Sequence, residues 1–121
     1  MKAYIIQISW TFRGESGHDT ITKAFVDMSK ACEHLKKICN NERDDTWLCD
    51  VLDENLKPYP DVTLQEYVCT DNYFLVESEE HEARTEVWID EIKIESLYLI
   101  KEDSNNINNY IIYLTPLKYM L

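Results

Sequence analysis

Between Tyr4 and Phe12 every even-numbered position is apolar, and the odd positions turn polar after Ile5. A repeat of two marks a strand with one buried face, so this pattern predicts an opening strand over Lys2–Phe12. Gly14 and Gly17, the only glycines, fall in residues 13–19, where a reversal needs backbone freedom that other residues lack. Residues 20–26 then return as a second strand, rich in β-branched and aromatic side chains. Met28, Ala31, Cys32, Leu35, Ile38 and Cys39 follow at helical spacing and form one stripe. Asp27 and Ser29 can both accept from the free amides at the helix start, and Asp27 is the favoured cap. Asn40 and Asn41 predict the stop, with Lys36 and Lys37 in the last turn against the negative end of the helix dipole.

The pattern loosens beyond the helix. Residues 46–52 read as a strand and 53–55 as a turn, whereas Pro58 and Pro60 bar residues 57–60 from a central strand. Thr63 and Glu66 have the spacing of a capping box, which predicts a short helix to about Thr70. Residues 73–77 and 85–94 read as strands joined by the polar link 78–82. Val87 and Ile89 share one parity and Ile92 and Ile94 the other, which predicts a bulge or bend near Asp90 and Glu91. Residues 97–100 and 110–114, separated by an asparagine-rich reversal, predict a closing hairpin. The expected fold is α+β over a single domain, 1–121: an antiparallel sheet opened by a β-hairpin, one main amphipathic helix on one face, and a short second helix.

Charge narrows the function. The 23 acidic and 12 basic residues leave a formal charge of −11. Residues 40–95 hold 17 of the carboxylates against 4 Lys or Arg, a net −13, while the remainder carries +2. Such a surface argues against direct binding of nucleic acid or of an anionic membrane, and for a basic protein partner. The first nine residues hold one basic side chain and a polar-interrupted apolar run, which fails as a secretory signal, and no stretch reaches the roughly 18 apolar residues of a membrane span. A cytoplasmic protein with reduced cysteines is expected, since Cys32 and Cys39 lie about 10 Å apart along one helix and cannot bridge each other.

The chemistry-bearing residues do not converge on a reaction. There is no Cys-x-x-Cys or His-x-x-x-His, and the cysteine spacings fit no zinc pattern, so neither metal nor cofactor is expected. Cys32 and His34 differ by two helical positions and point to different faces, which argues against a cysteine nucleophile and for a surface His34. Glu79, Glu80, His81 and Glu82 offer ligands for a weak divalent site, though a solvated charge cluster explains them as well. Tyr4, Trp10 and Phe12 belong to the core face, whereas Trp47, Tyr59 and Trp88, flanked by acids, are candidates for an aromatic and acidic contact surface, with ordinary partial burial as the alternative. A non-enzymatic role is expected.

The opening hairpin and helix, with Ser29-Lys30-Ala31-Cys32 at the helix start, resembles the small ββα proteins of unassigned role found in phages and mobile elements, over about the first third of the chain. The resemblance implies a kinship with anti-CRISPR and other anti-defence inhibitors, some of which fill a nucleic-acid groove with their own carboxylates. A binder that blocks a basic, nucleic-acid-handling partner is therefore the leading expectation. Its partner-binding residues are those expected on flexible or turn-like segments, with side chains free of the core: Glu42, Asp44, Asp45, Asp53, Glu54, Glu79, Glu80 and Glu82. Two alternatives stand beside it. One is a structural or immunity-type interaction protein whose acidity keeps it soluble, the other a small ligand-binding domain or enzyme with a cleft beside the sheet.

Overall fold

A computed structural model describes residues 2–93, 99–101 and 110–113. They form an α+β fold in which one helix lies across a seven-stranded antiparallel sheet. Strand β1 (Lys2–Phe12) is central, paired along its whole length with β5 (Ala83–Lys93) on one side and from Tyr4 to Phe12 with β2 (Glu15–Phe25) on the other. Beyond β5 lie β4 (Tyr73–Ser78) and β3 (Glu66–Cys69); beyond β2 lie β7 (Tyr110–Tyr113) and β6 (Leu99–Lys101). The last two pair antiparallel, as the expected closing hairpin requires, and residues 97, 98 and 114 of that reading, with the asparagine-rich reversal 104–109, fall outside the described residues.

The opening hairpin turns more tightly than its glycines suggest. Phe12 pairs with Glu15, so the loop is Arg13-Gly14 alone, and both residues have positive φ, 50° and 89°. Two left-handed residues in succession match the right-handed twist of the strands they join. Gly17 belongs instead to β2, opposite Trp10, whose indole lies over it; a Cβ at Gly17 would sit 2.5 Å from that ring. Its role is close approach, not reversal.

Helix α1 (Met28–Asp45) starts as the sequence predicts, with the Asp27 carboxylate accepting from Ser29 N at 2.9 Å. Asp27→Ala should therefore lower stability by about 1 kcal/mol in denaturant titration. Ala31, Leu35, Ile38 and Cys39 are buried against the sheet, but Met28 is exposed and His34 packs its ring 5.2 Å from that of Phe25. The helix passes Asn40 and Asn41 and ends only at Asp45, because Arg43 anchors the last turn, donating to Leu52 O at 3.1 Å and to the Tyr59 hydroxyl at 3.3 Å. Lys36 and Lys37 are thus mid-helix.

Thr46 closes α1 and opens the next element. Its N–H donates to Glu42 O, and its hydroxyl accepts from Leu48 N at the head of a 3-10 turn, Trp47–Asp50. That turn replaces the expected strand over 46–52, and it drives Leu48, Val51 and Leu52 into the core from the helix side. The expected helix after Thr63 is also overturned: Glu66–Cys69 is strand β3, joined to β4 by the two-residue turn Asp71-Asn72.

The main core lies between α1, the 3-10 turn and the sheet, with Ile6, Ile8, Phe74, Val76 and Val87 supplied by the strands. A smaller cluster of Ala3, Ile5 and Ala24, with Val26 and Ile92 against it, sits on the opposite face. This second cluster explains why Ile92 departs from the parity of Val87 and Ile89; Ile94 lies outside the described residues. The register of β5 with β1 runs unbroken from Ala83 to Lys93, so there is no bulge at Asp90 and Glu91. The sheet buries both faces at one end, and the break in register lies between β1 and β2, near Ile5 and Gln7.

Candidate partner-binding surface

The acidic residues expected to meet a partner fall on three segments. Glu42, Asp44 and Asp45 lie not on a flexible or turn-like segment, as expected, but in the last turn of α1, which runs past the expected stop, and Glu42 is half-buried there. Asp53 and Glu54 occupy the loop after the 3-10 turn, and Glu79, Glu80 and Glu82 the β4–β5 turn. Trp47 ties the first segment to the third. Its indole N–H donates to the Thr85 hydroxyl at 3.2 Å, and its ring lies 5.8 Å from that of His81, in the middle of the β4–β5 turn. His81 is held in turn by Ser78, whose hydroxyl is 2.8 Å from Nδ1. The end of the helix and the acidic turn therefore share one end of the sheet.

The turn itself is fixed by backbone bonds. Glu82 adopts a left-handed φ of 52°, its N–H reaches Glu79 O at 3.1 Å, and its carbonyl accepts from Arg13 N at 2.9 Å, which joins the two turns at that end. Glu79, Glu80 and Glu82 are exposed, with Glu79 also accepting from the Gln65 amide at 3.2 Å. Their side chains are presented to solvent from a hydrogen-bonded turn.

Asp53 is placed differently. Its carboxylate accepts from Asn55 N at 2.8 Å and Lys57 N at 3.1 Å, which makes it the organiser of its own loop. Only Glu54 of that pair is exposed. Asp44 is exposed and paired with Arg43 at 3.2 Å.

Glu42 carries the clearest electrostatic signal. Burial first, then the charges of Asp45 and Asp19, push its carboxyl above the usual range. Asp19 comes from β2, a contributor that the sequence pattern did not suggest. A carboxyl raised on folding binds protons more readily in the native state than in the unfolded chain, so stability falls as pH rises from the ordinary glutamate value through the raised one. Glu42→Gln should accordingly stabilise the protein at neutral pH and leave it unchanged below pH about 4, a difference that thermal melts across the range will show.

The aromatic residues do not form one surface. Trp47 packs on the helix side, and Tyr59 accepts from Arg43, whereas Trp88 lies opposite Gln7 on the outer face of the sheet. There it meets His18 edge-on at 5.7 Å, beside a polar network that the sequence reading did not single out. Gln7 accepts from Thr20 at 2.6 Å and lies 2.9 Å from the His18 imidazole. Tyr73 donates to Glu86, and Arg84 bridges Glu86 at 3.2 Å and Glu77 at 3.3 Å. The signal was a tryptophan at a polar position of the β5 alternation.

Between α1 and the β3–β4 hairpin lies a cleft of about 570 Å³, lined in part by Cys32, Leu35, Cys39, Leu56, Cys69 and Phe74. Burial pushes the Cys32 thiol up and the Cys39 thiol to about 12. Neither is a thiolate near neutral pH. Among the described residues no three His, Cys, Asp or Glu side chains converge on a possible metal position, those of the β4–β5 turn included, and no helix is long and apolar enough to cross a membrane. Comparison with known proteins finds no matching family model, no similar curated sequence and no similar solved structure.

Proposed function

We propose that this chain is a non-enzymatic, acidic binding protein that covers a basic surface of a nucleic-acid-handling partner and excludes nucleic acid from it. The observation that carries the reading is the placement of Glu42, Asp44 and Asp45 in the last turn of α1, where Arg43 is the basic residue. The negative end of a helix dipole disfavours carboxylates, and Glu42 is crowded further by Asp45 and Asp19. Charge meant only for solubility has no reason to gather where the fold resists it. A cationic partner relieves that repulsion on binding, so part of the strain becomes affinity.

The β4–β5 turn extends the same surface. Two variants test the proposal, Glu79, Glu80 and Glu82 replaced together by Lys, and Asp44 and Asp45 replaced likewise. Each should capture the partner from source-cell extract at least tenfold more weakly, about 1.4 kcal/mol. The β4–β5 variant should melt close to the parent and the Asp44 and Asp45 variant at or above it, because it relieves the repulsion at the helix end. Capture should weaken as salt rises, and added DNA or RNA should release the partner. Full capture by both variants returns the acidity to a solubility role, and indifference to competing nucleic acid removes the inhibitory part of the reading.

A further inference from the structure

Strand β3 ends the sheet, with β4 as its neighbour. All four of its residues are exposed, Tyr67 and Val68 at 36 % each. The hairpin to β4 closes with Thr70 N donating to Tyr73 O at 2.9 Å, which fixes the ladder. In an antiparallel pair, residues bonded to the neighbour alternate with residues whose N–H and C=O point away. Counting back from Thr70, Val68 and Glu66 bond to β4, so Tyr67 and Cys69 offer their backbone groups to the open side. Among the described residues no other backbone meets them.

Edges are ordinarily guarded by short length, charge, proline or a bulge. β3 is short and carries Glu66, and Gln65 N reaches Glu77 O at 2.9 Å beside the Glu66–Glu77 pair, so its start is irregular. From Tyr67 to Cys69 it has no charge, no proline and a regular register with β4. Next to it, on the helix side, is the cleft of about 570 Å³, with Cys69 in its wall. A strand laid along β3 would alternate its side chains, one set falling over that cleft. Charge selects the visitor. Residues 58–83 hold seven carboxylates and no Lys or Arg, and Glu33 and Asp71 line the cleft with Lys36. A second copy of this chain would bring acid against acid, whereas a basic segment is complementary.

We propose that the free edge of β3 takes an extended, lysine- or arginine-bearing segment of the partner as an added antiparallel strand, with an apolar side chain of that segment in the cleft between α1 and β3. The proposal rests on the reading of this chain as a binder of basic partners and locates the partner's backbone. Main-chain bonds to Tyr67 and Cys69 supply the pairing, and the cleft supplies side-chain selection.

The probe is a blocked ten-residue peptide alternating lysine and valine, with an N-methylated version that cannot complete a ladder. The parent peptide at saturation should slow amide exchange of Tyr67 and Cys69 at least tenfold, and the methylated peptide should not. Cys69→Pro removes an outward N–H without removing a bond to β4, so it should weaken the peptide at least tenfold. If that variant fails to fold, exchange in the unaltered protein decides alone. Unchanged exchange at Tyr67 and Cys69 with peptide bound, or equal binding of the methylated peptide, overturns the proposal. So does protection that grows with protein concentration alone, which would assign the edge to a second copy. Partner capture that survives Cys69→Pro but is lost on charge reversal removes strand addition and leaves the acidic surface standing. Peptide pairing at β3 with capture indifferent to charge reversal does the opposite.

Discussion

Ile6→Ala is expected to destabilise the protein toward the upper part of the roughly 2–5 kcal/mol range for large-to-small core changes, read as a lower denaturant midpoint with an unchanged slope. Ile6 is 0 % exposed on the central strand, opposite Ile89 of β5 and within the cluster beneath α1. Strands bonded on both sides cannot close on the vacated space, so the cavity remains. Leu35→Ala should fall lower in the same range. Leu35 is also deeply buried, at 2 % exposure, but it lines the cleft, and the lost volume merges with space already open to solvent. A change below about 0.5 kcal/mol at either position would place it outside the core.

Trp47→Ala is the second large effect, at about 3 kcal/mol, the low end for aromatic truncations because the side chain is half-buried. Two losses combine. The ring no longer packs on the core and on His81, and the Thr85 hydroxyl, 1 % exposed, loses its donor. Trp47→Phe separates them: it keeps most of the apolar contact and should cost about 1–2 kcal/mol for the bond. If the acidic surface depends on the helix end and the β4–β5 turn being held together, Trp47→Ala should also weaken partner capture although no charge has changed. Equal capture by Trp47→Ala and the parent would show that the two segments act independently.

The sequence was legible wherever one periodic pattern met one buried face. The β1 alternation, the Asp27 cap and the stripe from Ala31 to Cys39 all mark local choices that agree with the tertiary environment. Errors arose where two patterns overlapped. Thr63 and Glu66 satisfy a helix-start motif, yet Tyr67, Val68 and Thr70 favour a strand, and the neighbouring β4 decides between them. Leu48, Val51 and Leu52 have the spacing of a helical turn, obscured by the β-forming Thr46 and Trp47. The parity change at Ile92 came from burial on both faces, a property of the assembled sheet. Of the candidate site, the acidic segments were readable, but the Trp47–His81 contact and the approach of Asp19 to Glu42 join residues 34 and 23 positions apart, and no local pattern announces them.

The pairing of β1 with β5 has a consequence for how the protein is made. Ile6 and its partner Ile89 are 83 positions apart, so β1 emerges from the ribosome long before the strand that completes it. At about 5–20 residues per second the wait is roughly 4–17 seconds. In that interval β2 and α1 can cover one edge and one face of β1, while its other edge exposes unpaired backbone beside Ile6 and Ile8. Nascent chains are therefore most vulnerable to sticking together between synthesis of Asp45 and synthesis of Lys93, and a transcript broken in that window yields a product whose central strand stays open along one side.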